Sequence, residues 1–145
     1  MGMIARKQIS LVILLVLVVY SAASCASLSE HQKREYGILE SAATFSADKV
    51  IGEYGDRIPD DFSAEKFMAL VKDKIPKDYY EALKKHSLEV RPKQSYYLLL
   101  IFDPDTKALI LFDFSCTPKV DGPVLLEPDK YSLENIDLYD TCNIN

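Results

Sequence analysis

Residues 96–116 constrain this chain more than any other stretch. Tyr96 to Phe102 is apolar without a break, Asp103, Pro104, Asp105, Thr106 and Lys107 follow, and Ala108 to Cys116 is apolar again except at Asp113 and Ser115. An uninterrupted run of this length, bounded by turn residues, predicts a central strand covered on both faces. Pro104 fixes φ where the second position of a type I turn needs it, and aspartate suits the position before it. The returning strand is expected to place Ile110, Phe112, Phe114 and Cys116 on one face and Leu109, Leu111, Asp113 and Ser115 on the other. A hairpin of this kind cannot stand alone; the rest of the chain has to cover it.

The cover on one side comes from upstream. Ser29 with Gln32 has the form of a capping box, in which each side chain satisfies a free amide at a helix start. Tyr36, Leu39, Ala43, Ala47, Val50 or Ile51, and Tyr54 then recur at helical spacing, predicting a helix from Glu30 to Tyr54 with a break near Ser46 and an end at Gly52 or Gly55. Its stripe is rich in alanine and thin in large apolar residues, so peripheral packing or a partial linker role is expected. Ser63 caps a second helix, with Phe62 and Phe67 placed as a hydrophobic staple and Phe67, Leu70, Val71, Lys74 and Ile75 on its inner face. Pro76 stops that helix and opens a third, carrying Tyr79, Tyr80 and Leu83 to about His86. Leu88 and Val90 alternate with charge up to Pro92, as on an edge strand. After the hairpin, Thr117 to Pro123 reads as a loop, Val124 to Leu126 as a short strand, and Tyr131 to Tyr139 as a turn with a last strand around Ile136 and Leu138. The fold class is therefore α+β, with amino-terminal helices packed on an antiparallel sheet of about four strands.

Ahead of all this stands a segment of another kind. Arg6 and Lys7 precede an apolar run from Leu11 to Tyr20, and Ser21, Ala22, Ala23 and Ser24 lead into Cys25. Ten apolar residues fit the roughly 7–15 of a signal-peptide core and fall short of the ~18 of a spanning helix. Ala22, Ala23 and Ser24 before Cys25 resemble the lipobox of a bacterial lipoprotein signal, with Ala22 where leucine is commonest. The resemblance covers about the first 26 residues and implies that Cys25 becomes the lipidated first residue of the mature chain. Two or more acyl chains then hold the protein stably at the membrane. For Gram-negative lipoproteins it also implies outer-membrane sorting, because Ala26 is not the aspartate that favours inner-membrane retention. Ordinary secretory cleavage near Ala23 or Ala26, and an uncleaved amino-terminal anchor, remain open alternatives. Residues 1–24 are thus read as signal, 25–28 as lipidated cysteine and short tether, and 29–145 as one α+β domain.

Charge and cysteine use follow from that division. The first 24 residues hold Arg6 and Lys7 and no acid, which leaves 15 basic against 22 acidic side chains and a net charge of about −7. Nucleic-acid binding without sequence preference rests on Lys and Arg, so this balance argues against it and makes a basic protein partner the better electrostatic match. With Cys25 assigned to lipid, Cys116 and Cys142 remain as an even pair in an oxidising compartment, and a disulfide between them would tie the tail to the sheet.

Candidate chemistry is sparse. Asp103 and Asp105 at the end of an apolar strand have the placement of the aspartates in haloacid-dehalogenase phosphatases, but Thr106 and Lys107 depart from that pattern and no parallel βα repeat follows. Lys107 and Ala108 also stand where a calcium loop needs glycine and oxygen donors. A hairpin turn explains both acids. His31 and His86 have no neighbour at metal-ligand spacing, and no glycine-rich phosphate loop is present. Asp113 is the acid best placed for partial burial, although an open sheet face is the expected setting. Nine tyrosines against no tryptophan form the one excess, and Tyr79, Tyr80, Tyr96 and Tyr97 are candidates for a partner-binding face. The helix-then-sheet order resembles small outer-membrane assembly lipoproteins and cystatin-like folds in order alone and transfers no site. The sequence reading is a lipid-anchored, extracytoplasmic envelope protein that acts by binding protein, without catalytic residues, metal or cofactor. The alternatives are an inhibitor or immunity protein for a basic enzyme or toxin, and a binder of small apolar ligands.

Overall fold

In the computed structural model, which describes residues 28–116, 122–125 and 132–142, Ser29 and Gln32 close the expected reciprocal cap. The Ser29 amide donates to Gln32 Oε1 at 3.0 Å and the Gln32 amide to Ser29 Oγ at 3.2 Å. The signal segment, Cys25, and the expectations over residues 117–121 and 126–131 lie outside the described residues. The chain divides into two compact units, Met1–Gln32 and Lys33–Asn145. Helix α1 spans Glu30–Tyr54 without interruption at Ser46. Gly55 ends it with φ of 65°, and its amide donates to the Ile51 carbonyl at 2.7 Å, as a left-handed helix terminator does; Gly52 stays inside the helix.

The second unit has two layers. Strands β1 (Ser87–Pro92), β2 (Tyr97–Phe102), β3 (Leu109–Ser115) and β4 (Val124–Leu125) form one antiparallel sheet in the order β1-β2-β3-β4. Helices α1, α2 (Ala64–Val71) and α3 (Lys77–Lys84) supply one face: Leu39, Ala42, Ala43 and Val50 of α1, Phe67 and Val71 of α2 and Leu83 of α3 share a core with Val90, Tyr97, Leu99, Ile101 and Leu111. The alanine-rich stripe of α1 is therefore a core surface, neither peripheral nor a linker. Its buried alanines share that core with the larger side chains of Leu39, Phe62, Phe67 and Tyr97.

Local chemistry sets the helix boundaries. Ser63 Oγ accepts from the Lys66 amide at 3.3 Å, and the buried Phe62 and Phe67 rings lie 6.5 Å apart as the staple predicts. Helix α2 stops at Val71, short of Pro76, and Lys74 lies in the turn beyond it with its ammonium 3.4 Å from Glu53. Pro76 is the N-cap of α3.

The second face of the sheet carries Tyr96, Leu98, Leu100, Phe112 and Phe114. Against it lies the tail, which forms a turn and a 3-10 helix (Ile136–Tyr139) in place of the expected last strand. Ile136 is buried there and Leu138 is 84% exposed, so the two do not share a strand face. The hairpin has one irregularity: Ile101 pairs with Leu111 and Phe102 with Leu109, leaving Ile110 as the extra residue of a bulge. The bulge reverses the start of the strand relative to simple alternation. Ile110 joins Leu111 on the helix side, and Leu109 joins Phe112 and Phe114 on the tail side.

Candidate functional site

Asp103 is a turn builder. Its Oδ1 accepts the Asp105 amide at 2.9 Å and the Thr106 amide at 2.8 Å, and these bonds hold its carboxyl below the usual carboxylate range. Nearby, the side chain of His86 is nearly enclosed, with Nδ1 2.7 Å from the Ala82 carbonyl oxygen and Nε2 3.5 Å from Glu35. Burial raises the Tyr36 phenol, and the neighbouring Glu35 and Asp103 charges raise it further. These groups knit the start of the second unit to the hairpin turn. Among the described residues, no group of three or more His, Cys, Asp or Glu side chains is arranged to hold a metal ion.

Asp113 is buried at 1% exposure, and Ser115 Oγ donates to its Oδ2 at 2.8 Å. The open sheet face expected for it is covered: Asp113 pairs with Leu99 and Ser115 with Tyr97, both on the helix side. The four singled-out tyrosines divide among three settings. Tyr97 is fully buried between Phe62 and Phe67, with ring centroids at 5.7 and 6.1 Å, and burial pushes its phenol far up. Tyr96 lies on the opposite face and donates to Asp140 of the tail; burial, and then that carboxylate, push it up to about 12. Tyr79 and Tyr80 are half-buried on α3, and the Tyr79 ring lies 5.3 Å from that of Phe45 in a tilted arrangement, with Phe45 45% exposed. One continuous tyrosine face does not form, since adjacent strand residues point to opposite sides.

Described residues of the second unit line two clefts of note. The larger, about 680 Å³, is lined by Asp56 to Asp60 with Gln94 and Ser95, where the Ile58 amide donates to the Gln94 carbonyl at 2.7 Å. Its charges are mixed and its walls are loop backbone. The smaller, about 450 Å³, runs between β3 and the tail, lined by Phe112, Phe114, Gly122, Val124, Leu138, Tyr139, Asp140 and Thr141. The Phe112 ring sits 5.9 Å from Phe114 and 6.4 Å from Tyr139, giving an aromatic floor and one aromatic wall. Exposed Leu138 forms the lip, and the tail also carries exposed Glu134 and Asp137.

A disulfide stands at the end of this cleft. Cys116 and Cys142 are joined, with Cα atoms 5.7 Å apart, the pairing expected from the sequence. Cys142 Sγ lies 3.4 Å from the Phe114 carbonyl oxygen, and its amide donates to Asp140 Oδ1 at 3.0 Å. Asp140 thus links the Tyr96 hydroxyl to the disulfide turn. Comparison of the chain with protein-family models, with curated proteins and with solved structures finds no match. Sequence reasoning missed the cleft because Leu138 reads as a strand residue. The available signal was Asn135, whose side chain accepts the Ser132 amide at 2.7 Å and starts a turn where a strand would have to run.

Proposed function

We propose that this chain is a lipid-anchored protein of the cell envelope, tethered through Cys25, whose folded domain binds another protein at the cleft between β3 and the tail. The observation that carries the binding role is the combination of a preformed aromatic floor, Phe112 and Phe114, with Leu138 held out at 84% exposure on its lip. A large aliphatic side chain left in water beside an apolar cleft has no role in the fold. It suits an interface core, where one anchor fills a pocket rimmed by polar groups. The anchor reading rests on the signal-like residues and the small residues before Cys25.

Charge favours one partner class. Asp140 lines the cleft, Glu134 and Asp137 lie on the same tail segment with Asp137 3.5 Å from the Lys93 ammonium, and residues 25–145 are acidic as a whole. A basic partner presenting an apolar side chain flanked by Lys or Arg matches both features, and an inhibitor or immunity role toward a basic envelope enzyme or toxin is one form of this. Affinity capture from native membranes with the intact chain, beside Leu138→Glu, tests the reading. Leu138 is exposed, so the variant keeps its fold, and capture of the partner should fall by roughly tenfold or more. Equal capture by both proteins removes the cleft as the binding site.

A further inference from the structure

Strand β1 is an edge of the sheet, and its charges reverse sign about Val90: Leu88, Glu89, Val90, Arg91, Pro92. The backbone has the matching symmetry. The Lys93 amide donates to the Tyr96 carbonyl at 2.8 Å, in the same register that pairs Arg91 with Leu98 and Glu89 with Leu100. Because antiparallel bonding alternates, amides at odd positions turn toward β2, and those of Leu88 and Val90 turn outward. No main-chain bond from a described residue outside the sheet reaches either. Glu89 and Arg91 share the tail-side face, exposed and partly exposed, and bond to each other through Arg91 Nε at 2.6 Å.

From this we propose that β1 pairs antiparallel with β1 of a second copy of this chain, about a two-fold axis at Val90. Val90 exchanges two hydrogen bonds with the partner's Val90. The Leu88 amide donates to the carbonyl of Pro92 in each direction, where the missing proline N–H costs only the return bond. Glu89 then stands opposite the partner's Arg91, and Arg91 opposite the partner's Glu89, in the non-hydrogen-bonded positions where side chains approach most closely. Charged side chains and a proline on an edge act against indiscriminate pairing. Opposite charges set symmetrically about the centre instead select this one register and orientation. The pairing is small and therefore weak in solution, with a Kd on the order of 0.1 mM.

Charge reversal tests the register. Glu89→Arg makes both positions basic and Arg91→Glu makes both acidic, so each variant alone should self-associate at least tenfold more weakly than the wild type. An equimolar mixture of the two variants, and the double variant carrying both changes, restore opposite charges at every cross-strand contact and should recover association. Sedimentation equilibrium of the full chain in density-matched detergent reads all five samples, with circular dichroism to confirm the fold. A wild type that stays monomeric at millimolar concentration overturns the proposal. So do single reversals that associate as well as wild type, or a mixture no tighter than its components.

Discussion

The hydroxyl of Ser115 carries more than its size suggests. It donates to Asp113 Oδ2 in an interior sealed from water, and a buried polar atom that loses its partner costs the full desolvation of that atom. Ser115→Ala removes the donor and leaves the Asp113 oxygen desolvated, so urea unfolding should show a loss of about 1–3 kcal/mol with an unchanged m-value. Asp113 was legible as the exception in an apolar strand. Its burial was not, because nothing in a single sequence says that this face of the sheet is the one the helices cover. Tyr96 makes a second residue-scale prediction. Its folded pKa, about 12, lies above the unfolded value near 10, so the folded state holds the proton longer. Stability from this group is complete below pH 10 and is lost as pH rises through 12, by on the order of 2 kcal/mol. Alkaline unfolding of wild type beside Tyr96→Phe checks the sign: the variant should lack that fall.

At the scale of elements, the hairpin turn shows what a sequence reveals and what it hides. Pro104 and Asp103 mark the turn, and the structure has Asp103 accepting two of its amides. Lys107 gives no warning that its φ is 62°, a left-handed conformation in which a lysine Cβ crowds the backbone. Lys107→Gly relieves that crowding and loses part of the gain to the freer unfolded chain. The expected result is a rise of a few tenths to about 1 kcal/mol in stability, read as a higher denaturation midpoint. The bulge at Ile110 is hidden for a related reason. Leu109, Ile110 and Leu111 are interchangeable in hydrophobicity, so periodicity cannot find the one residue that breaks it. Where chemistry differs from residue to residue, as in the Ser29–Gln32 box and the Phe62–Ser63–Phe67 staple, the element start was legible to the residue.

For the whole molecule, the two faces of the sheet are secured by different means. Three helices bury the first face, with Phe62, Phe67, Leu39 and Leu83 fully enclosed, whereas from the tail segment 132–142 only Ile136 is buried against the second. The disulfide therefore carries a larger share of the tail's attachment than any single contact. Closing its 26-residue separation restricts the unfolded chain by about 3.5 kcal/mol. A dithiol reductant, or the double change Cys116→Ser and Cys142→Ser, should lower stability by up to that amount. The loss should not spread evenly, because local opening follows local contact density. Hydrogen exchange under native conditions should speed up first in residues 132–142, while amides of α1 and β2 keep their protection and the helical circular dichroism is unchanged. Uniform acceleration across both layers would mean that the tail and the helix-side core unfold as one unit. The cleft at Phe112, Phe114 and Leu138 ties this to function: if binding occurs there, reduction should weaken it before the fold is lost. A partner that binds the reduced and oxidised protein equally well would place its site on the helix side instead.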